Sequence, residues 1–186
     1  MAAGGYGKRF EASFRKSCER AGFLIERFQD SNKFGMSNST RFTMNSPCDF
    51  LLFGESSLFY FELKSTETGS VSFNQPPYEK TTKTVSIKPH QINSLLARSA
   101  YFDVYAGLII DFADRQKKNG DVIKGGTYYI SVDKFVTWAK NCGKCSINKM
   151  DAESIGIEIS RQKKKVNYTY DIERMLKKIM MEECHG

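Results

Sequence analysis

The sequence predicts an α/β layer fold in a single domain, a mixed β-sheet flanked by helices, and three observations carry that prediction. Apolar residues recur at helical spacing near both ends of the chain and again before residue 100. Between these helical stretches, Val104 to Phe112 is nearly all apolar, the pattern of a central strand covered on both faces. Asp49 to Lys64 reads as two strand-like runs separated only by Gly54-Glu55-Ser56-Ser57, which is hairpin spacing.

The chain has 186 residues, 40% hydrophobic and 13% aromatic, enough to bury a core as one domain spanning 1–186 and too apolar for disorder. No apolar run approaches the roughly 20 residues of a membrane span, and Met1 to Lys8 lacks a signal core, so a cytoplasmic protein without membrane contact is expected. No internal repeat and no Gly/Ser linker interrupts the chain.

Taken in order, Glu11 to Ala21 reads as a helix, with Phe10, Phe14 and Cys18 on one face, Gly22 as its stop and Glu11 in the first turn where the dipole favours an acid. Phe23-Leu24-Ile25 begins a strand. Residues 29–46 are polar, with scattered aromatics and the cations Lys33 and Arg41; a free loop places such aromatics poorly, so a protruding, stalk-like element is expected. The 49–64 hairpin follows, then the polar stretch Ser65 to Ser86. Ile87 to Ala100 reads as a helix with Pro89 in its first turn and Ile92, Leu95, Leu96 and Ser99 on the buried side. Thr127 to Ile130 is a further strand, Asp133 to Lys140 a short helix holding Trp138, and Asp171 to Met181 a terminal helix with Ile172, Met175, Leu176 and Ile179 inward. The basic run Arg161-Gln162-Lys163-Lys164-Lys165 precedes that helix.

Five cysteines without a secretory signal indicate free thiols. Cys142-Gly143-Lys144-Cys145 lacks a second CxxC or a spaced His pair, with only Cys184 and His185 near in sequence, so ordinary thiols are expected there.

The chemistry concentrates in the hairpin. Asp49 and Glu62 lie on neighbouring runs that can bring both acids together, with Lys64 beside them. Two carboxylates suit a hard divalent cation, and a lysine beside it can position a water or neutralise phosphate charge, which equips a site for phosphodiester hydrolysis. Exposed hairpin acids are the alternative, but both acids sit in strongly apolar runs where an unpaired charge is costly. Pro47-Cys48-Asp49 with Glu62-Leu63-Lys64 reads as the nuclease pattern PD-(D/E)xK. Charge is uneven around it: +4 over residues 1–48, −2 over 49–116 and +5 over 117–186, so an acidic middle is flanked by positive segments suited to a phosphate backbone.

Taken together, these residues resemble the RecU family of Holliday junction resolvases. The resemblance rests on Gly7-Lys8-Arg9-Phe10-Glu11, Asp49 with an acid-x-Lys at this spacing, Phe61-Glu62-Leu63-Lys64-Ser65-Thr66, and His90-Gln91-Ile92 opening a helix, all in family order along most of the chain. It implies a restriction-endonuclease-like, PD-(D/E)xK core and a homodimer whose stalk, here 29–46, enters a four-way DNA junction while each subunit nicks one strand. It also implies Asp49, Glu62 and the Leu63 carbonyl as ligands of Mg²⁺ or Mn²⁺, Lys64 as the group that orients the attacking water, and Glu11 as a further metal acid. Gln91 would bond a water or phosphate, or else be a surface glutamine. Cellular members also work alongside the recombination strand-exchange protein. Two departures stand out: 29–46 is shorter than in cellular members, and Cys48 stands where they carry a small polar residue. The short stalk suits a phage-encoded member that accepts other branched DNA.

The expected DNA footprint comprises Lys8, Arg9 and Arg15 on the first helix, Lys33 and Arg41 on the stalk, Lys80, Lys83 and Lys88 before the second helix, and Arg161, Lys163, Lys164 and Lys165. Thr66 would bond a phosphate or cap a turn, and His90 would be structural or touch phosphate. Three other readings remain at this stage: a nuclease of the same fold acting on plain duplex, an architectural DNA-binding protein, and an interaction domain with an acidic protein partner.

Overall fold

A computed structural model of the chain describes residues 4–28, 46–81, 83–116, 120–165 and 167–183. The stalk-like stretch 29–46, with Lys33 and Arg41, lies outside the described residues except for Ser46, as do Cys184 and His185. In chain order the elements are α1 (Gly4–Arg20), β1 (Leu24–Arg27), β2 (Phe50–Gly54), β3 (Ser57–Thr66), β4 (Ser70–Ser72), α2 (Pro89–Ser99), β5 (Val104–Phe112), β6 (Arg115–Gln116), β7 (Val122–Ile123), β8 (Gly126–Ser131), α3 (Val132–Asn141), β9 (Ser146–Asn148), α4 (Lys149–Ile155), β10 (Ile157–Glu158), β11 (Arg161–Lys164), β12 (Asn167–Tyr170) and α5 (Ile172–Glu183).

The expected mixed sheet flanked by helices is present. Six strands run in the order β1-β2-β3-β5-β8-β10, and only the β3–β5 pair is parallel. A parallel pair needs a crossover, and α2 supplies it. The β2–β3 hairpin closes through Glu55 and Ser56, both left-handed at φ 51° and 62°, the backbone of a two-residue primed turn. β5 is buried along nearly its whole length, as its apolar sequence requires. At Gly107 a Cβ would stand 2.5 Å from the Ile130 carbonyl, so only glycine lets β5 and β8 approach this closely.

Alternation along β3 divides the core in two. Phe59, Phe61 and Leu63 face α1 and α5, packing with Phe10, Phe14, Met175 and Leu176. On the other face, Leu108 and Ile110 of β5 pack with Ile92 and Leu95 of α2 and Phe135 of α3. Ser99, expected on the buried side of α2, is half-buried and donates from its Oγ to the Leu96 carbonyl at 3.1 Å.

Two expectations need correction, and the basic run before the last helix gains a structure. α1 starts at Gly4, so Glu11 lies well inside it and the first-turn dipole argument lapses. The polar stretch Ser65–Ser86 holds β4, which pairs with β9, because Val71 and Phe73 are buried anchors in otherwise hydrophilic sequence. The basic run 161–165 is the first arm of the β11–β12 hairpin. Among the described residues, no helix is long and apolar enough to cross a membrane.

Candidate active site

Register places the two acids. Phe50 pairs with Phe61 across the antiparallel β2–β3 ladder, and one further step sets Asp49 opposite Glu62, on the same face. Asp49 is half-buried just before β2, and its Oδ2 accepts a hydrogen bond from the Leu63 N–H at 2.8 Å. Glu62 is 1% exposed. Its Oε1 accepts from Lys64 Nζ at 2.8 Å and from Gln91 Nε2. Lys64 shares the Glu62 face two residues along β3, so one strand supplies acid and base to the same spot.

Gln91 is held by the start of α2. Pro89 occupies the first turn of that helix, and Gln91 Oε1 accepts from the Lys88 backbone N–H at 2.9 Å. One side chain therefore closes the helix start and bonds the buried carboxylate. Cys48, 3% exposed, donates from Sγ to the Phe50 carbonyl at 3.1 Å; burial and then the Glu62 and Asp49 charges push its thiol up to about 12, so it is not a nucleophile at neutral pH.

Burial pushes the Glu62 carboxyl up to about 7; Lys64 opposes the shift and the neighbouring Asp49 adds to it. Two facing carboxylates with one lysine leave an excess of negative charge in a poorly solvated place. A hard cation would relieve it, and the donors are all oxygens, so the set fits Mg²⁺ or Mn²⁺, which need only one or two protein carboxylates besides water and phosphate. Among the described residues, no group of three or more His, Cys, Asp or Glu comes close enough to share a metal ion. Glu11 is therefore not gathered into a three-acid cluster. It stands on α1, across the sheet from the Glu62 side chain, and pairs with Arg27 at 3.0 Å.

The expected DNA-contacting residues separate into groups. Lys80, Lys83 and Lys88 line one cleft of about 460 Å³ together with His90, beside the start of α2. Burial, then Lys88 and Lys64, depress the His90 pKa, so this imidazole is neutral at physiological pH. Lys8, Arg9 and Arg15 are exposed along α1, with Arg15 paired to Glu19 at 2.9 Å. Lys163, Lys164 and Lys165 are exposed on the β11 arm and its turn, with Lys163 3.8 Å from Asp114.

Two members leave the footprint. The Thr66 hydroxyl accepts from the Thr68 and Gly69 N–H groups at 3.2 and 3.1 Å and donates to the Ser70 carbonyl, so it caps a turn. Arg161 turns inward, with its side chain only 11% exposed, and pairs with Asp111. Asp111, 1% exposed, also accepts from Tyr6 and Thr127, tying α1, β5, β8 and β11 together. Sequence reasoning missed this network, although a lone acid inside the apolar run 104–112 was its signal.

No family model matches the chain. It is 29% identical over 195 residues to the SPbeta prophage-derived uncharacterized protein YotM of Bacillus subtilis (strain 168), covering 98% of this chain and 91% of that protein. Among solved structures, Hjc of Archaeoglobus fulgidus, a Holliday junction resolvase from an archaeal hyperthermophile, aligns with a TM-score of 0.47 and 14% identity over 82% of this chain and 95% of that one.

Proposed function

We propose that this chain is a metal-dependent endodeoxyribonuclease that resolves four-way DNA junctions by paired, symmetric nicks. The observation that carries the reading is the Asp49–Glu62 pair set face to face by the β2–β3 register, with Lys64 and Gln91 both bonded to Glu62. A structural ion pair needs one acid and one base; this arrangement adds a second, half-buried acid and a positioned amide beside them.

Asp49, Glu62 and the Leu63 carbonyl would hold the cation, which when bound supplies Lewis-acid polarisation of the scissile phosphate. Glu62 fixes the Lys64 ammonium, which then orients the attacking water and offsets charge developing on the phosphate. Gln91 fixes the Glu62 carboxylate in its turn, so neither catalytic side chain has to be ordered when substrate arrives. In-line attack leaves a 5′-phosphate and a 3′-hydroxyl. The exposed cations of α1 and of the β11 turn supply affinity without sequence preference.

A two-fold homodimer would set two such sites across one junction, which gives paired cuts. The similarity to a prophage-derived protein supports the phage-type reading. Asp49→Asn tests the site: Asn still accepts from the Leu63 N–H but removes one charge, so junction binding should persist and cleavage should vanish. Full cleavage by that variant would refute the assignment.

A further inference from the structure

We propose that the cleft bordered by Asn74, Tyr78, Lys80, Lys83 and the first turn of α2 is a pocket for one unpaired nucleotide of the DNA strand being cut. The inference rests on the endonuclease reading, which decides what strand lies beside it. The cleft has a volume of about 460 Å³, within the roughly 300–1,000 Å³ range of pockets that enclose a small organic ligand. Lys80, Lys83 and Lys88 are exposed at its border, and among the described residues no carboxylate lines it. Three cations around a concave surface suit a phosphodiester. Tyr78 and Pro89 add apolar wall, and Asn93 adds an amide, which suits a base better than a second phosphate would.

The pocket is held open by its own bonds. Asn93 Nδ2 donates to the Tyr78 carbonyl at 3.0 Å, pinning the loop to α2. Asn74, 4% exposed, donates to the Glu79 carbonyl at 2.9 Å and accepts from Thr81 Oγ1 at 2.9 Å, which fixes the loop internally. A preformed cavity does not spend binding energy on ordering itself. It is also joined to the catalytic residues, because the Lys88 N–H bonds the same Gln91 side chain that bonds Glu62. Continuous duplex keeps its bases stacked and cannot fill this cavity, whereas a strand at a branch, flap or gap presents a base already free. The pocket would therefore favour phosphodiester bonds beside an unpaired nucleotide.

The test measures binding in EDTA by fluorescence anisotropy, using a blunt duplex and the same duplex carrying a central one-nucleotide flap. Wild type should bind the flap at least about fivefold more tightly, the low end of what one accommodated base contributes. Thr84→Trp fills the cleft without changing charge and should bring the flap-to-duplex ratio to about one. Lys80→Ser with Lys83→Ser alters only exposed side chains and should also lower the ratio, so the test stands even where the tryptophan disturbs folding. A free deoxynucleoside monophosphate should displace the flap and not the duplex. Equal affinity of wild type for both DNAs, or an unchanged ratio in both variants, overturns the pocket. Cleavage with Mg²⁺ is scored separately: cutting without flap preference defeats the pocket alone, and flap preference without cutting defeats the endonuclease reading alone.

Discussion

Replacing Glu62 by Gln removes the buried charge while keeping the shape of the protonated acid, so the two proteins differ only when wild type is ionised. Glu62 is 1% exposed, and its carboxyl is pushed from the ordinary 4.5 to about 7, by burial first. Because its folded pKa lies above its unfolded pKa, the folded state holds the proton more tightly. Stability from this group is therefore present below about pH 4.5 and is lost as pH rises to about 7. That interval of about 2.5 pH units corresponds to about 3 kcal/mol at about 1.4 kcal/mol per unit. In EDTA, urea denaturation should find the two proteins near equal at about pH 4.5, with Glu62→Gln more stable by about 3 kcal/mol at about pH 8. Mg²⁺ at the higher pH should raise the stability of wild type and leave the variant unchanged. Equal pH dependence in the two proteins, or an equal response to Mg²⁺, would refute the reasoning that Glu62 is a buried, cation-seeking carboxylate.

Lys64→Met removes the group that lowers the Glu62 pKa, so the Glu62 carboxyl should titrate higher by NMR and cleavage should fall by about 10²–10³ in a single-turnover assay. Gln91→Ala frees the Glu62 carboxylate and opens the start of α2; cleavage should fall about 10–100-fold, with junction affinity in EDTA unchanged within twofold or so. Arg161→Ala strands Asp111 as a buried charge, and urea denaturation should show a loss of about 3–5 kcal/mol. The same variant should bind DNA normally wherever it is folded, since Arg161 points inward.

Much of the fold was legible because long elements announce themselves. The apolar run 104–112, the hairpin and the faces of α2 and α5 follow from periodicity, and the sheet order then requires a crossover between β3 and β5. Short elements were not legible. β4 and β9 have three residues each and owe their place to one or two buried anchors, among them Val71 and Ile147. The site was readable where chemistry and local spacing coincide: hairpin spacing suggested that Asp49 would meet Glu62, and the strand period put Lys64 beside Glu62. It was not readable where a partner comes from far along the chain. Arg161 looked like one of four basic side chains in a run, and only the fold brings it to Asp111, 50 residues earlier. The place of Glu11 was not readable either, since only the fold puts its helix on the face of the sheet opposite the Glu62 side chain and pairs it with Arg27. The lysines of the cleft were placed near DNA by charge alone; that they border one cavity next to α2 depends on the loop bonds of Asn74 and Asn93.

The central claim is that Asp49, Glu62 and Lys64 form a phosphodiester-cutting site used on branched DNA. The most direct measurement incubates the purified protein with an end-labelled four-way junction, a matching linear duplex and a fork, each with Mg²⁺, Mn²⁺ or EDTA, and maps the cuts on every strand. The account predicts metal-dependent nicks placed symmetrically on opposing strands of the junction, weaker cutting of the fork, and an intact duplex. Binding of the junction with no cut in either metal would contradict it.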